Sequence, residues 1–220
     1  GNSYVAEAKK QLFGKVGIDL IAGPSEIVVV ANMYNNPEWV ASDLMAQAEH
    51  DDNAQSILIT DNIGFAKKVL LKINKLKNLI EKKDTINKSL RNNGLVILVD
   101  NIDKCSDIIN FIAPEHLHIH LKSYNNLTKK INNAGGIFLG EYSVEAFGDY
   151  IVGTNHVLPT FGAAKFSSGL GVLDFMKRTS VVQMNQKSFD LLKNDTQFIA
   201  GIEGLEAHKL SVKIRQKKQS

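Results

Sequence analysis

A chain of 220 residues with 44% hydrophobic and 22% charged residues has the composition of an ordinary globular protein, long enough to bury a sizeable core in one domain with or without a small appendage. Its formal charge of +3, with lysines gathered in 67–83 and 209–218 and no interleaved aromatic or arginine pattern, argues against nucleic-acid binding. No segment approaches the ~20 apolar residues of a membrane span and no signal peptide opens the chain, while a lone cysteine, Cys105, excludes an internal disulfide and a thiolate metal site and suits a reducing cytoplasm.

Along the chain, short β-branched runs alternate with helical patterns. Strands are expected at 17–21 and 26–31, joined by the turn Ala22-Gly23-Pro24-Ser25. Open α/β sheets gather ligands at the carboxyl ends of strands, so Ser25 either hydrogen-bonds a substrate or caps the segment that follows. A helix is expected at 37–50, with Asn36 as N-cap and Pro37 at the first helical position. A strand at 56–60 precedes a helix at 62–80, which carries Ile63, Ala66, Val69, Leu70, Ile73 and Ile80 at helical spacing. The strand 94–99 leads to a helix at 103–111, where Cys105 reads as an inert packing residue on a buried face. Strands at 116–121 and 136–139 flank a short helix at 127–133, closed by Ala134-Gly135-Gly136. Residues 149–171, rich in Gly, Ser, Thr and Asn, read as a long ordered loop of the kind that is usually functional or disordered. Residues 188–218 read as a helical appendage. The alternation argues a mostly parallel sheet covered by helices. No G-x-G-x-x-G is present: Gly169-Leu-Gly171-Val-Leu-Asp174 lacks the third glycine and follows no strand.

The chemistry concentrates in APEHLHI (113–119). Glu115 and His116 offer two proton-transfer groups with ordinary pKa values of roughly 4.3 and 6.5, suited to a reaction that takes one proton from an alcohol and another from water. Extended neighbours face opposite sides of a strand, but a bend at Pro114 would let both reach one cleft. Gln47 and His50 stand three apart near a helix end and project from one face. With Asp149, beside Gly148, and His208, on the last helix with Glu203 five residues earlier, they make an N/O donor set compatible with Zn²⁺. His116, His118 and His120 alternate and so share one strand face. That pattern allows a three-histidine site of a non-redox zinc hydratase or hydrolase with Glu115 as base. At His118 and His120 the favoured reading is the polar face of a half-exposed strand.

IDLIAGPSE (18–26), NPEWVASDLMAQAEHD (36–51), APEHLHI (113–119), EAFGDYIVGTNHVLPT (145–160) and GIEGLEAHK (201–209) resemble histidinol dehydrogenases, in that family's order and spacing. The first residue is Gly rather than Met, and the resemblance covers the C-terminal half of a typical member. The fold it implies is α/β: an incomplete Rossmann-like parallel sheet with flanking helices plus a C-terminal helical arm. Residues 1–25 would be the tail of the cofactor-binding domain, 26–170 the zinc- and substrate-binding domain, and 171–220 an arm exchanged in a homodimer. The implied activity is a four-electron oxidation, L-histidinol through histidinaldehyde to L-histidine with two NAD⁺, the last step of histidine biosynthesis. The resemblance makes Gln47, His50, Asp149 and His208 zinc ligands that also meet the substrate. His116 becomes the base for the alcohol and aldehyde-hydrate protons, and Glu115 the residue that activates water. Ser25, His156 and Glu203 become substrate contacts and Asn2 a cofactor contact. His208 and Glu203 would act across subunits. A catalytically silent fragment, lacking the NAD-binding half, is the alternative expectation for this polypeptide alone.

Overall fold

In the computed structural model, residues 3–216 are described. They form two compact units, one ending at Phe175 and the other beginning at Met176. Helix α1 (Ser3–Leu12) opens the first unit. There follow β1 (Glu26–Val30), α2 (Pro37–Ala48), β2 (Gln55–Thr60), α3 (Ile63–Leu76), α4 (Lys83–Asn93), β3 (Leu95–Leu98), α5 (Ser106–Ile112), β4 (His116–Ile119), α6 (Asn125–Thr128), β5 (Gly136–Leu139) and α7 (Glu145–Tyr150). The second unit holds α8 (Gln186–Ile202) and α9 (Glu206–Lys213).

The five strands make one sheet in the order β3-β2-β1-β4-β5, and every pairing is parallel. Parallel strands need crossover helices, which bury both faces and leave near-continuous apolar runs; β1, Glu-Ile-Val-Val-Val, is buried along its whole length. Alternate residues split it between two cores. Ile27 and Val29 pack with Val40, Leu44, Phe65 and Val69 of α2 and α3. Val28 and Val30 pack with Ile109, Leu117, Ile119 and Leu127 on the other side. Cys105 belongs to this second core, fully buried, and burial pushes its thiol up to about 11.

Most expected elements are present, and the departures have local causes. Residues 17–21 are irregular, because no described strand lies beside them to complete a ladder; an isolated bridge between Phe13 and Val16 is the nearest pairing. The turn 22–25 therefore precedes β1 and stands at its amino end, not at the carboxyl end of a strand. Helix α2 begins as expected, the Asn36 side chain accepting from the Glu38 amide at 2.9 Å with Pro37 at the first position. The helix at 127–133 shrinks to α6: Asn110 accepts from the backbone amides of Asn132 and Asn133 at 2.8 and 3.1 Å, drawing those groups out of a helical ladder. Asp149 sits on α7 rather than in the loop. From there to Gly171 the backbone is irregular apart from a 3₁₀ turn at Ala163–Lys165.

In the second unit, α8 ends in a Schellman motif. Gly204, at φ 70°, lets its amide bond the Gly201 carbonyl (3.1 Å) and that of Leu205 the Ala200 carbonyl (2.9 Å). Only Ala200 is buried on these two helices, while Leu191, Phe198, Ile202 and Ile214 are exposed. Among the described residues, no helix is long and apolar enough to cross a membrane.

Candidate active site

Register sets the site. Ile27 lies level with His116, and His116 with Gly136, so the amino ends of β1, β4 and β5 form one rim. Helix α2 runs back across the sheet and delivers Gln47 and His50 towards α7.

At the rim, Ala113 caps α5 in the left-handed conformation (φ 52°, ψ 60°). This turn, followed by Pro114, redirects the chain so that Glu115 and His116 do not diverge: Glu115 Oε2 lies 3.5 Å from His116 Nδ1. One residue of β1 fixes both. The Glu26 amide donates to Glu115 Oε2 at 2.9 Å, and the Glu26 carbonyl meets His116 Nδ1 at 3.2 Å. A carbonyl only accepts, so Nδ1 carries the hydrogen and Nε2 keeps the lone pair. Nε2 is buried with no hydrogen-bond partner, 3.8 Å from Asp149 Oδ1.

Burial dominates the electrostatics. It pushes Glu115 up to about 8, helped by the charges of Glu26 and Asp149. It pulls His116 below the ordinary imidazole value against the opposing pull of Asp149. The pair thus rests as an uncharged imidazole, able to accept a proton, beside a carboxyl that can accept one only after it ionises, near pH 8. Glycine is required beside it. A Cβ on Gly135 would stand 2.5 Å from the Glu115 carbonyl oxygen, which accepts the Gly136 amide at 2.8 Å. Gly135→Ala should therefore lower the unfolding free energy by about 1–3 kcal/mol, read as a shifted urea midpoint; an unmoved midpoint would mean that this strand end yields without cost.

Around the pair, donor atoms of His50, Glu145 and Asp149 all lie within 4.8 Å of one another. Gln47 is fully buried. With its amide oriented by hydrogen-bond complementarity, its nitrogen donates to both Glu145 oxygens at 3.1 and 3.2 Å. A cavity of about 470 Å³ opens here, lined by His116, Phe138, Phe147, Asp149, His156 and Leu158 among others. The loop beyond α7 is tied to the rim: the Phe161 amide donates to Glu26 Oε1 at 3.2 Å and the Gly23 amide to Thr160 Oγ1 at 2.6 Å.

The structure thus brings together Gln47, His50, Glu115, His116, Asp149 and His156. Ser25 stands just before Glu26 at the same rim, its carbonyl accepting the Gln55 amide at 2.9 Å. Glu203 caps α8 and His208 lies on α9, both exposed, in the second unit. Asn2 is outside the described residues. His118 and His120 are not a half-exposed polar face. They are buried, because the face they share with His116 is the one covered by α2. His120 Nε2 bonds Asp43 Oδ2 at 2.7 Å, and His118 Nδ1 stands 3.1 Å from the same oxygen. These two histidines therefore converge on Asp43 instead of completing a three-histidine set with His116. Sequence reasoning missed Glu26, Asp43 and Glu145. Only Glu145 left a local signal, standing one helical turn before Asp149.

The rim thus sets a carboxyl and an imidazole beside a cluster of nitrogen and oxygen donors. A family profile described as histidinol dehydrogenase matches residues 1–216. The histidinol dehydrogenase of Hydrogenovibrio crunogenus is 48% identical over 217 residues, 99% of this chain and 50% of that protein. That of Rhodospirillum rubrum is 50% identical over 216 residues, again half of the relative. The crystal structure of histidinol dehydrogenase from Elizabethkingia anophelis superposes with a TM-score of 0.90 at 39% identity, covering 98% of this chain and 50% of that one. The chain belongs to the histidinol dehydrogenase family, a family of oxidoreductases, and spans about half the length of the curated relatives it matches.

Proposed function

We propose that these residues form the substrate and metal site of an enzyme that oxidises L-histidinol through histidinaldehyde to L-histidine, passing two hydrides in turn to NAD⁺ in the cytoplasm. The observation that carries the reading is the Glu115–His116 pair, aligned by the Glu26 backbone with His116 Nε2 unpartnered and turned towards Asp149. The donors beside it suit zinc: nitrogen from His50, oxygen from Glu145 and Asp149, no thiolate, and the Gln47 amide alongside. Gln47, His50 and Asp149 would hold the ion, with His208 from the C-terminal arm. A zinc ion held there would supply a positive charge to which the nitrogen groups of histidinol could be fixed.

The chain's own residues do the rest. His116 Nε2 takes the hydroxyl proton as hydride leaves the alcohol carbon. Glu115, once ionised, takes a proton from the water that adds to the aldehyde. His116 then takes the hydrate proton in the second oxidation. Ser25, His156 and Glu203 contact the substrate in this reading, and the apolar wall of Phe138, Phe147 and Leu158 keeps bulk water from the reacting carbon. The one NAD contact assigned here, Asn2, falls outside the described residues. The uncovered apolar faces of α8 and α9 favour an arm, 171–220, exchanged in a homodimer so that Glu203 and His208 serve the partner's site.

Calorimetric titration of L-histidinol into the protein, with zinc and then with chelator, tests the reading. Binding that needs zinc and weakens in His208→Ala is expected. Absence of binding in both conditions would sink it, and zinc binding indifferent to His208 would point to a different ligand set.

A further inference from the structure

Two helices meet over this site, and each offers two polar side chains. From α7, Glu145 and Asp149 stand one turn apart and project from one face. From the end of α2 come Gln47 and His50. Donor atoms of His50, Glu145 and Asp149 lie within 4.8 Å of one another. Glu145 is the most buried of the three, 3% exposed, and it lies against fully buried Gln47.

A glutamine ligand poses an orientation problem. Its amide ends in an oxygen that binds a cation and an NH₂ that repels one, and rotation by half a turn exchanges them. Something must hold the nitrogen end. Both oxygens of Glu145 lie against that nitrogen, at 3.1 and 3.2 Å. A carboxyl oxygen accepts from the amide whether the group is ionised or not. Donor atoms of His50 and Asp149 stand within 4.8 Å of Glu145, and His116 Nδ1 is at 3.8 Å, beyond hydrogen-bond range and already serving the Glu26 carbonyl. The two short contacts of the Glu145 oxygens are those to Gln47.

We infer that Glu145 is a positioning residue: it grips the amide nitrogen of Gln47 and so turns the amide oxygen to the metal. This inference rests on the reading given under Proposed function, and it assigns Glu145 a part distinct from that of a ligand. Partners that orient a metal ligand from behind are known to set affinity by about 10–100-fold.

The test is a double-mutant cycle on zinc affinity, measured by competition with a chelator. It uses a polypeptide extended upstream to the length of the relatives, with these 220 residues otherwise unchanged. Glu145→Leu fills the space without an acceptor, Gln47→Ala removes the ligand, and the pair is combined. The expected result is a loss of about 10–100-fold for Glu145→Leu and no further loss when it is added to Gln47→Ala. Glu145→Gln, whose amide oxygen still accepts, should recover most of the affinity. Additive losses would overturn the inference, since Glu145 would then act on the ion without Gln47. So would a Glu145→Gln variant as weak as Glu145→Leu. Should Glu145→Leu fail to melt cooperatively, Glu145→Ala, which also removes the acceptor, takes its place alone and combined with Gln47→Ala. No zinc binding in the unsubstituted protein would remove the underlying reading and this inference with it. Binding there with additive losses removes only the inference.

Discussion

Replacing Glu115 with glutamine should slow conversion of L-histidinol to L-histidine by about 10²–10⁴-fold, the usual worth of a positioned proton acceptor. The amide occupies nearly the same volume and still accepts the Glu26 N–H, so geometry is kept while basicity is lost. The defect should fall on the second oxidation: assayed in a polypeptide extended to family length, the variant should release histidinaldehyde that the parent does not. An unchanged rate of histidine formation would remove Glu115 from the mechanism. The pH dependence has a definite sign. Burial pushes this carboxyl up to about 8, so the base form appears as pH climbs through about 8. The rate of the second step should rise over that range in the parent and not in the variant. Stability should move the opposite way. A carboxyl whose folded pKa is raised favours folding while protonated, so that contribution is lost as pH rises from roughly 4.3 towards 8. Urea midpoints of metal-free protein should fall across this window, and the glutamine variant should flatten the fall.

Asp43→Ala should cost about 3–5 kcal/mol of folding free energy, the range for removing one member of a buried charged cluster. Burial pushes the Asp43 carboxyl up, but the hydrogen bonds and charges of His118 and His120 together outweigh it and leave the group below its ordinary value. Its contribution is therefore present above about pH 3.9 and is lost as pH falls through the lower folded value. The two imidazoles stack with ring centroids 4.0 Å apart, and His118 is held at its other end by the Gly140 carbonyl at 3.0 Å. Without the carboxylate, both rings lose their shared partner in a place closed to water. Chemical denaturation at neutral pH measures the loss. A variant as stable as the parent would mean that the histidines find new partners or that water enters.

The parallel sheet was legible in the sequence because β-branched runs such as Ile27–Val30 lie between helix signals as plain as Asn36-Pro37. Helix α4 was not, because its residues are mostly polar and only Ile86 and Ser89 become buried. The Glu115–His116 pair announced itself by composition and by its proline. What holds the pair did not, since the groups concerned are the N–H and C=O of Glu26, which every residue but proline carries. Glu145 escaped notice because its partner, Gln47, arrives on another helix from far along the chain. The alternation of His116, His118 and His120 established a shared face correctly, but periodicity cannot say which face a helix covers. That depended on α2 bringing Asp43 over the strand.

The double grip exerted by Glu26 makes the alignment of the proton-accepting pair a property of the main chain. Exchanging one side chain at position 26 for another leaves both contacts available, so a survey of conventional substitutions there would register the carboxylate's hold on the Phe161 loop and overlook the rest. Only replacement of the peptide link itself, by proline or by an ester, interrogates this element. The same geometry supplies a reporter: the Glu26 amide hydrogen exchanges with solvent only when Glu115 lets go, so its exchange rate measures how often the site comes apart.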